Sequence, residues 1–93
     1  MIQADGGFSN EKPGNSMAQA VADAVKNEVG ARIKRYFDDL KVIRFSTQVV
    51  AGRNFKLKVE VNREIMHLFV HCPLSGPPRL AGIERRKRLA DPL

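Results

Sequence analysis

Arg53-Asn54-Phe55-Lys56-Leu57-Lys58-Val59-Glu60-Val61 decides the fold, because from Phe55 onward apolar side chains occupy the odd positions and polar ones the even. Successive side chains of an extended chain point to opposite faces, so this stretch predicts a half-buried antiparallel strand. Downstream, Asn62-Arg63-Glu64 can make a tight turn. Residues 65–72 then predict a further strand with Met66, Leu68 and Val70 on one side. Pro73 and the cluster Ser75-Gly76-Pro77-Pro78 end that strand and form a second loop. Residues 80–88 predict a short last strand at a sheet edge. Upstream, Val42-Ile43-Arg44-Phe45-Ser46-Thr47 puts Ile43, Phe45 and Thr47 on one face of another strand.

Ahead of the strands the period changes. Met17, Val21, Val25, Val29 and Ile33 recur every four residues, with Ala18, Ala22 and Tyr36 beside them. At 3.6 residues per turn this predicts one long helix over residues 16–36 with a single face to bury. Asn15 or Ser16 can cap its first turn, since either side chain accepts from an orphan N–H. Gly30 interrupts the helix at a cost of ~1 kcal/mol relative to alanine. Residues 1–15, rich in Gly, Ser, Asn and Pro, read as an extended arm. A lone helix followed by a strand meander predicts an α+β fold. Its long helix packs on a wrapped antiparallel sheet of four to five strands within residues 40–88.

Ninety-three residues suffice for a single domain, here residues 1–93, and a 43% hydrophobic share argues against disorder of the whole chain. Cys72 is the sole cysteine, so no intrachain disulfide can form. A small domain without such bridges points to a reducing compartment. The first residues lack a basic and apolar leader pattern, and no apolar run approaches the ~20 residues that span a membrane. A cytoplasmic location without membrane contact is the expectation. The net charge is +6, and four cations cluster at Arg85-Arg86-Lys87-Arg88. Such a cluster can touch an acidic partner. Lysine and arginine also blunt exposed sheet edges, and no nucleic-acid-binding module accompanies them, so nucleic acid is not the expected partner.

Gln48-Val49-Val50-Ala51-Gly52 lies between two patterned strands and should form a hairpin tip. Tips normally use Asn, Asp, Gly or Ser, which tolerate positive φ and water. Two valines and an alanine are out of place there. Either they continue a buried strand whose turn lies elsewhere, or they form an apolar wedge for a cleft.

These residues resemble the QxVxG motif of the stefins, the type 1 cystatins, which inhibit papain-like cysteine proteases of the cathepsin class. The flanking Asn54-Phe55 and Lys58-Val59 fit as well. Gly6-Gly7-Phe8-Ser9, Lys12-Pro13, Met66-His67-Leu68, Leu74-Ser75-Gly76 and Leu80-Ala81-Gly82 resemble stefin segments in the same order. The resemblance implies the cystatin fold and a wedge built from the arm, the hairpin and the second loop. By this analogy Gly6, ahead of Gly7, matches the family's N-terminal glycine, and the residues before it from Ile2, Ala4 and Asp5 among them, would lie in the protease's non-primed subsites. Gln48, Val49, Val50, Ala51 and Gly52 would fill the cleft beside the catalytic thiolate. Leu74 and Ser75 would brace the primed side. Inhibition would be steric, reversible and competitive, with no cofactor and no catalytic residue. Stefins are also prone to domain swapping, so a monomer able to form a swapped dimer is expected. The chain departs from the stefin pattern at Ser75, where Leu-Pro-Gly is usual, and in a shorter connection to the last strand. The alternative function is a basic interaction module of the same fold that binds an acidic partner through residues 85–88.

Cys72, His67 and His71 offer a weaker catalytic or metal reading. His71 is adjacent to Cys72, so the two side chains project to opposite faces of a strand. His67 and His71 share a face but supply only two ligands, where a zinc site needs at least three. Ordinary strand residues are the expectation for all three. Asp38-Asp39 reads as a helix-end turn, since no partner group completes an acid–base pair.

Overall fold

The computed structural model describes residues 7–93. Among these residues five strands and one helix follow in the order β1 (Lys12–Pro13), α1 (Ser16–Ile33), β2 (Lys41–Val50), β3 (Gly52–Val61), β4 (Glu64–Cys72) and β5 (Arg79–Lys87). The strands form one antiparallel sheet in the order β1-β2-β3-β4-β5, with the helix packed across it. This is the α+β architecture expected from the alternation in β3 and the single helical stripe.

The core follows the period of two. Phe55, Leu57, Val59 and Val61 of β3 and Met66, Leu68 and Val70 of β4 are all buried. They meet Ala18, Ala22, Val25 and Val29 of the helix. Asn15 caps that helix, its Oδ1 accepting from the Ala18 N–H at 2.9 Å. Gln19 ties the helix to the chain entering β2: its Nε2 donates to the Leu40 carbonyl at 2.7 Å, and its Oε1 accepts from the Val42 N–H at 2.9 Å. At the other end Arg32 donates to the Leu80 carbonyl at 3.0 Å, linking the helix to β5.

Three details differ from the sequence reading. The helix stops at Ile33, short of Tyr36, because Lys34 turns left-handed (φ 56°) and its N–H returns to the Gly30 carbonyl. The Arg35 N–H bonds the same carbonyl at 3.2 Å. Two donors thereby satisfy a carbonyl of the last turn, and the reversal sends Phe37 and Leu40 into the core. In β2 an irregularity between Val42 and Arg44 shifts the pairing, so Val42 is buried alongside Phe45 and Ile43 is only partly covered. A bulge of this kind moves a side chain to the other face. Gly14 passes over this segment, its N–H donating to the Ile43 carbonyl at 2.8 Å. A Cβ on Gly14 would stand 2.2 Å from the Val42 carbonyl oxygen, so only glycine fits. Finally, the turn between β3 and β4 comprises Asn62 and Arg63 alone, both with positive φ (49° and 67°), and Glu64 already pairs with Val61. Two left-handed residues match the strand twist that a two-residue hairpin needs.

The C-terminal segment covers the sheet face opposite the helix. Lys58 is buried there, and its Nζ donates to the carbonyls of Leu89 at 2.5 Å and Asp91 at 2.6 Å. A buried ammonium requires such partners, because desolvation without them is costly. Leu93 N–H donates to Glu11 Oε2 at 2.9 Å, joining this segment to the arm.

Candidate functional site

Strands β2 and β3 pair down to Val50 opposite Gly52, leaving Ala51 at the apex. Strand β4 ends at Cys72 opposite Arg53, so the last pair of the hairpin extends past it. The hydrophobic effect would ordinarily draw valines inward, yet Val49 is 74% exposed and Val50 41%. The tip is an exposed apolar point carried on two ten-residue strands.

The conformation of Gly52 joins this tip to the second loop. Its φ of +97° is one that L side chains rarely adopt. A Cβ there would lie 2.2 Å from the Cys72 carbonyl oxygen and 3.0 Å from the Pro73 backbone. Residues 73–78 therefore start in contact with the hairpin, at the same end of the sheet. Leu74 is 84% exposed within that loop, and Ser75 is exposed beside it. Positive φ in these two loops falls on glycines, Gly52 at the tip and Gly76 (φ +103°) in the second loop; Val49, Val50 and Ala51 have none.

The arm reaches the same end along the outer edge of β2. Ser9 N–H donates to the Thr47 carbonyl at 2.7 Å, and the Thr47 N–H returns to Ser9 Oγ at 3.1 Å. Ser46 Oγ donates to the Ser9 carbonyl at 2.5 Å. Phe8 lies beneath the Lys56 ammonium, 4.3 Å from nitrogen to ring centroid, a cation–π contact. Gly7 precedes it, exposed, with open space where a Cβ would be. Of the site residues read from the sequence, Gly7, Gln48, Val49, Val50, Ala51, Gly52, Leu74 and Ser75 lie among the described residues. Ala4, Asp5 and Gly6 lie outside them.

Behind the tip runs a row of hydrogen bonds that the sequence reading assigned no role. Asn54 Nδ2 donates to Gln48 Oε1 at 2.9 Å, and His71 Nδ1 lies 2.7 Å from Asn54 Oδ1. Gln48 and Asn54 are direct partners across β2 and β3, as are Asn54 and His71 across β3 and β4. Only strand register brings these residues together, so their spacing in sequence carried no signal. The serine and phenylalanine tethers of the arm escaped for the same reason.

The histidines and the cysteine take separate surroundings. His67 is buried under the C-terminal segment, and its burial holds the imidazole below its ordinary pKa, with Lys58 and Lys87 adding to the effect. Cys72 is partly buried on the core side, and that burial pushes its thiol up, away from the reactive thiolate. Among the described residues no group of three or more His, Cys, Asp or Glu could hold a metal ion. No helix among them is long and apolar enough to cross a membrane.

The cationic cluster is largely paired within the molecule. Arg85 grips Glu64 through two bonds of 2.9 and 2.8 Å, which hold the Glu64 carboxyl below its usual range. Lys87 pairs with Glu84 at 3.1 Å and Arg88 with Asp91 at 3.9 Å.

Comparison with known proteins gives the family. The family profile described as Cystatin domain matches residues 6–77. Cystatin-B of Bos taurus is 36% identical over 92 residues, covering 95% of this chain and 94% of that protein. Cystatin-A of Homo sapiens is 35% identical over 76% of this chain and 74% of its own length. Stefin-C of Bos taurus is 38% identical over 71% of this chain; that match spans 62% of the bovine protein, under two thirds of it. With its family profile, its stefin and cystatin relatives and its helix-on-sheet fold, the chain belongs to the cystatin family and, within it, to the stefins.

Proposed function

We infer that the protein is a reversible, competitive, tight-binding inhibitor of papain-like cysteine proteases that acts by plugging the active-site cleft. The observation that carries this reading is the gathering at one end of the sheet of an apolar tip, Val49 and Val50, with an exposed Leu74. Apolar side chains held in water on a rigid hairpin gain most from a concave, dry partner. Strand pairing and the close packing of Gly52 on Cys72 fix the two loops relative to each other. Little conformational entropy is then lost on docking, which favours tight binding from a small surface.

In this reading Gln48, Val49, Val50, Ala51 and Gly52 sit beside the protease's catalytic thiolate, and Leu74 and Ser75 brace the primed side. Ala4, Asp5, Gly6 and Gly7 supply the non-primed contact. No bond is made or broken in the inhibitor, and Cys72, with its thiol pushed up by burial, takes no part. The chain acts as a single domain, monomeric and cytoplasmic, without a cofactor. The basic-module reading is disfavoured because Arg85, Lys87 and Arg88 already face carboxylates of the same molecule.

The test is steady-state inhibition of papain with a peptide substrate. The expected pattern is competitive, with the inhibitor recovered intact by mass spectrometry. Full papain activity in the presence of a stoichiometric excess overturns the reading.

A further inference from the structure

We propose that Asn54 and His71 are positioning residues that aim the hairpin tip, acting through Gln48; the inference deepens the inhibitor reading and rests on it for its functional consequence. Past the pair Arg53 and Cys72 no strand among the described residues lies on the β4 side of the hairpin, because β4 ends there. Backbone pairing alone therefore leaves the last turn of the hairpin held from one direction. The backbone contact of Gly52 with Cys72 and Pro73 braces that side at one point, and since two-stranded ribbons twist more than larger sheets do, the tip keeps freedom to twist unless side chains at its base also hold it.

The row of Gln48, Asn54 and His71 lies one residue pair behind that overhang, on the sheet face away from the helix. Its polarity follows from the orientation of the two amides. The Asn54 amide donates through Nδ2 to Gln48 Oε1, so its Oδ1 is the acceptor for a proton carried on His71 Nδ1. Each member thus orients the next, and the amide of Asn54 cannot flip without losing both bonds. The row is walled by Phe8, Lys56, Phe69 and Ala81, which line a depression of 260 Å³ with it. Partial cover of this kind strengthens hydrogen bonds and discourages water from replacing them. The outcome is a three-strand clamp: β4, anchored in the core by Met66, Leu68 and Val70, transmits its position to Gln48 at the base of the tip.

The experiment uses the full chain. His71→Phe keeps an aromatic ring and removes the donor, Asn54→Ala removes the middle link, and His71→Gln restores an N–H donor. Amide hydrogen exchange is followed at Val49, Val50 and Arg53, with Phe45 and Leu57 as internal controls, and the papain inhibition constant is measured in parallel. His71→Phe should speed exchange at the tip by about two- to tenfold, the range one hydrogen bond supplies, and leave the controls unchanged. The inhibition constant should weaken by a similar factor, and His71→Gln should recover most of both. Combining His71→Phe with Asn54→Ala should add less than the sum of the two in logarithmic terms. Unchanged tip exchange in His71→Phe overturns the positioning role whether or not papain is inhibited. Uniform acceleration that includes Phe45 and Leu57 also overturns it, since that marks a general stability effect. If the wild-type chain fails to inhibit papain, the inhibitor reading falls, and the exchange data still decide the clamp.

Discussion

Gly52→Ala is the perturbation with the most explicit structural cost. Two effects add. The backbone at φ +97° is one an alanine rarely adopts, and holding a non-glycine residue in such a region costs about 1–3 kcal/mol. The new methyl would also stand 2.2 Å from the Cys72 carbonyl oxygen and 3.0 Å from the Pro73 backbone. Those neighbours are main-chain atoms and cannot swing away as a side chain would. Relief requires the hairpin and the second loop to separate by about 1 Å, given that non-bonded carbon and oxygen atoms sit beyond ~3 Å. The core residues Leu57 and Val59 lie further along β3, so the fold should survive. Thermal denaturation should show a midpoint lower by about 4–8 °C for each kcal/mol lost. The papain inhibition constant should rise by roughly 5- to 150-fold if the strain is expressed in the bound geometry, at 1.4 kcal/mol per tenfold. A variant that inhibits within twofold of wild type, with an unchanged melting midpoint, would show that the close packing of the two loops does not govern binding.

Val49→Asp and Val50→Asp should both weaken inhibition with the fold intact by circular dichroism. Burying a valine contributes up to about 1.5–3 kcal/mol, and the greater exposure of Val49 leaves it more area to gain on docking. Val49→Asp should therefore cost the larger share, and unchanged constants for both would remove the tip from the interface. Stability should fall with acid in two stages, read by urea unfolding at pH 7.5, 5.5 and 3.5. His67, faced by Lys58, Lys87, Glu84 and Asp91, has its folded pKa depressed. Its contribution is full above the unfolded value near ~6.5 and fades as pH falls through the folded value, by at most about 1.4 kcal/mol at pH 5.5. Glu11, Glu64 and Asp91, also depressed, lose their share only below the ordinary carboxylate range of ~4. No loss between pH 7.5 and 5.5 would contradict the first stage. Straightening the tip at Ala51 would merge β2 and β3 into one long strand and let two chains exchange α1 and β2. Partial unfolding at high concentration should yield a dimer by size exclusion that lacks papain inhibition, and a fully inhibitory dimer would place the hinge elsewhere.

Most of the fold could be read because its pattern is local. The alternation from Phe55 to Val61 and the Met66, Leu68 and Val70 series each identify a face without reference to any other part of the chain. The helix was legible but its buried face was displaced. Residues four apart drift around a helix, and at about 100° per residue Met17 sits roughly 110° from the centre of the face formed by Ala18, Ala22, Val25 and Val29. Met17 is accordingly exposed. The left-handed stop at Lys34 lacked the usual glycine or asparagine, since the burial of Phe37 and Leu40 supplies the drive instead. The candidate site divides in the same way. Val49, Val50 and Ala51 stand out because their residue types contradict an exposed turn. Ser9, Asn54 and His71 act through register across strands, which no spacing in the sequence reveals. Within the tip, residues 48–52, the structure gives the left-handed backbone to Gly52 and none to the valines.

A hairpin end seated in a protease active-site cleft competes with anything else that fills that cleft. That competition is tested most directly by binding to two forms of papain, one free and one whose cleft is filled by a covalently attached peptidyl label on the catalytic cysteine. Surface plasmon resonance with the immobilised full chain should show tight, saturable binding of the free enzyme and loss of at least a hundredfold in affinity for the filled one. Equal binding to both forms would place the interface outside the cleft.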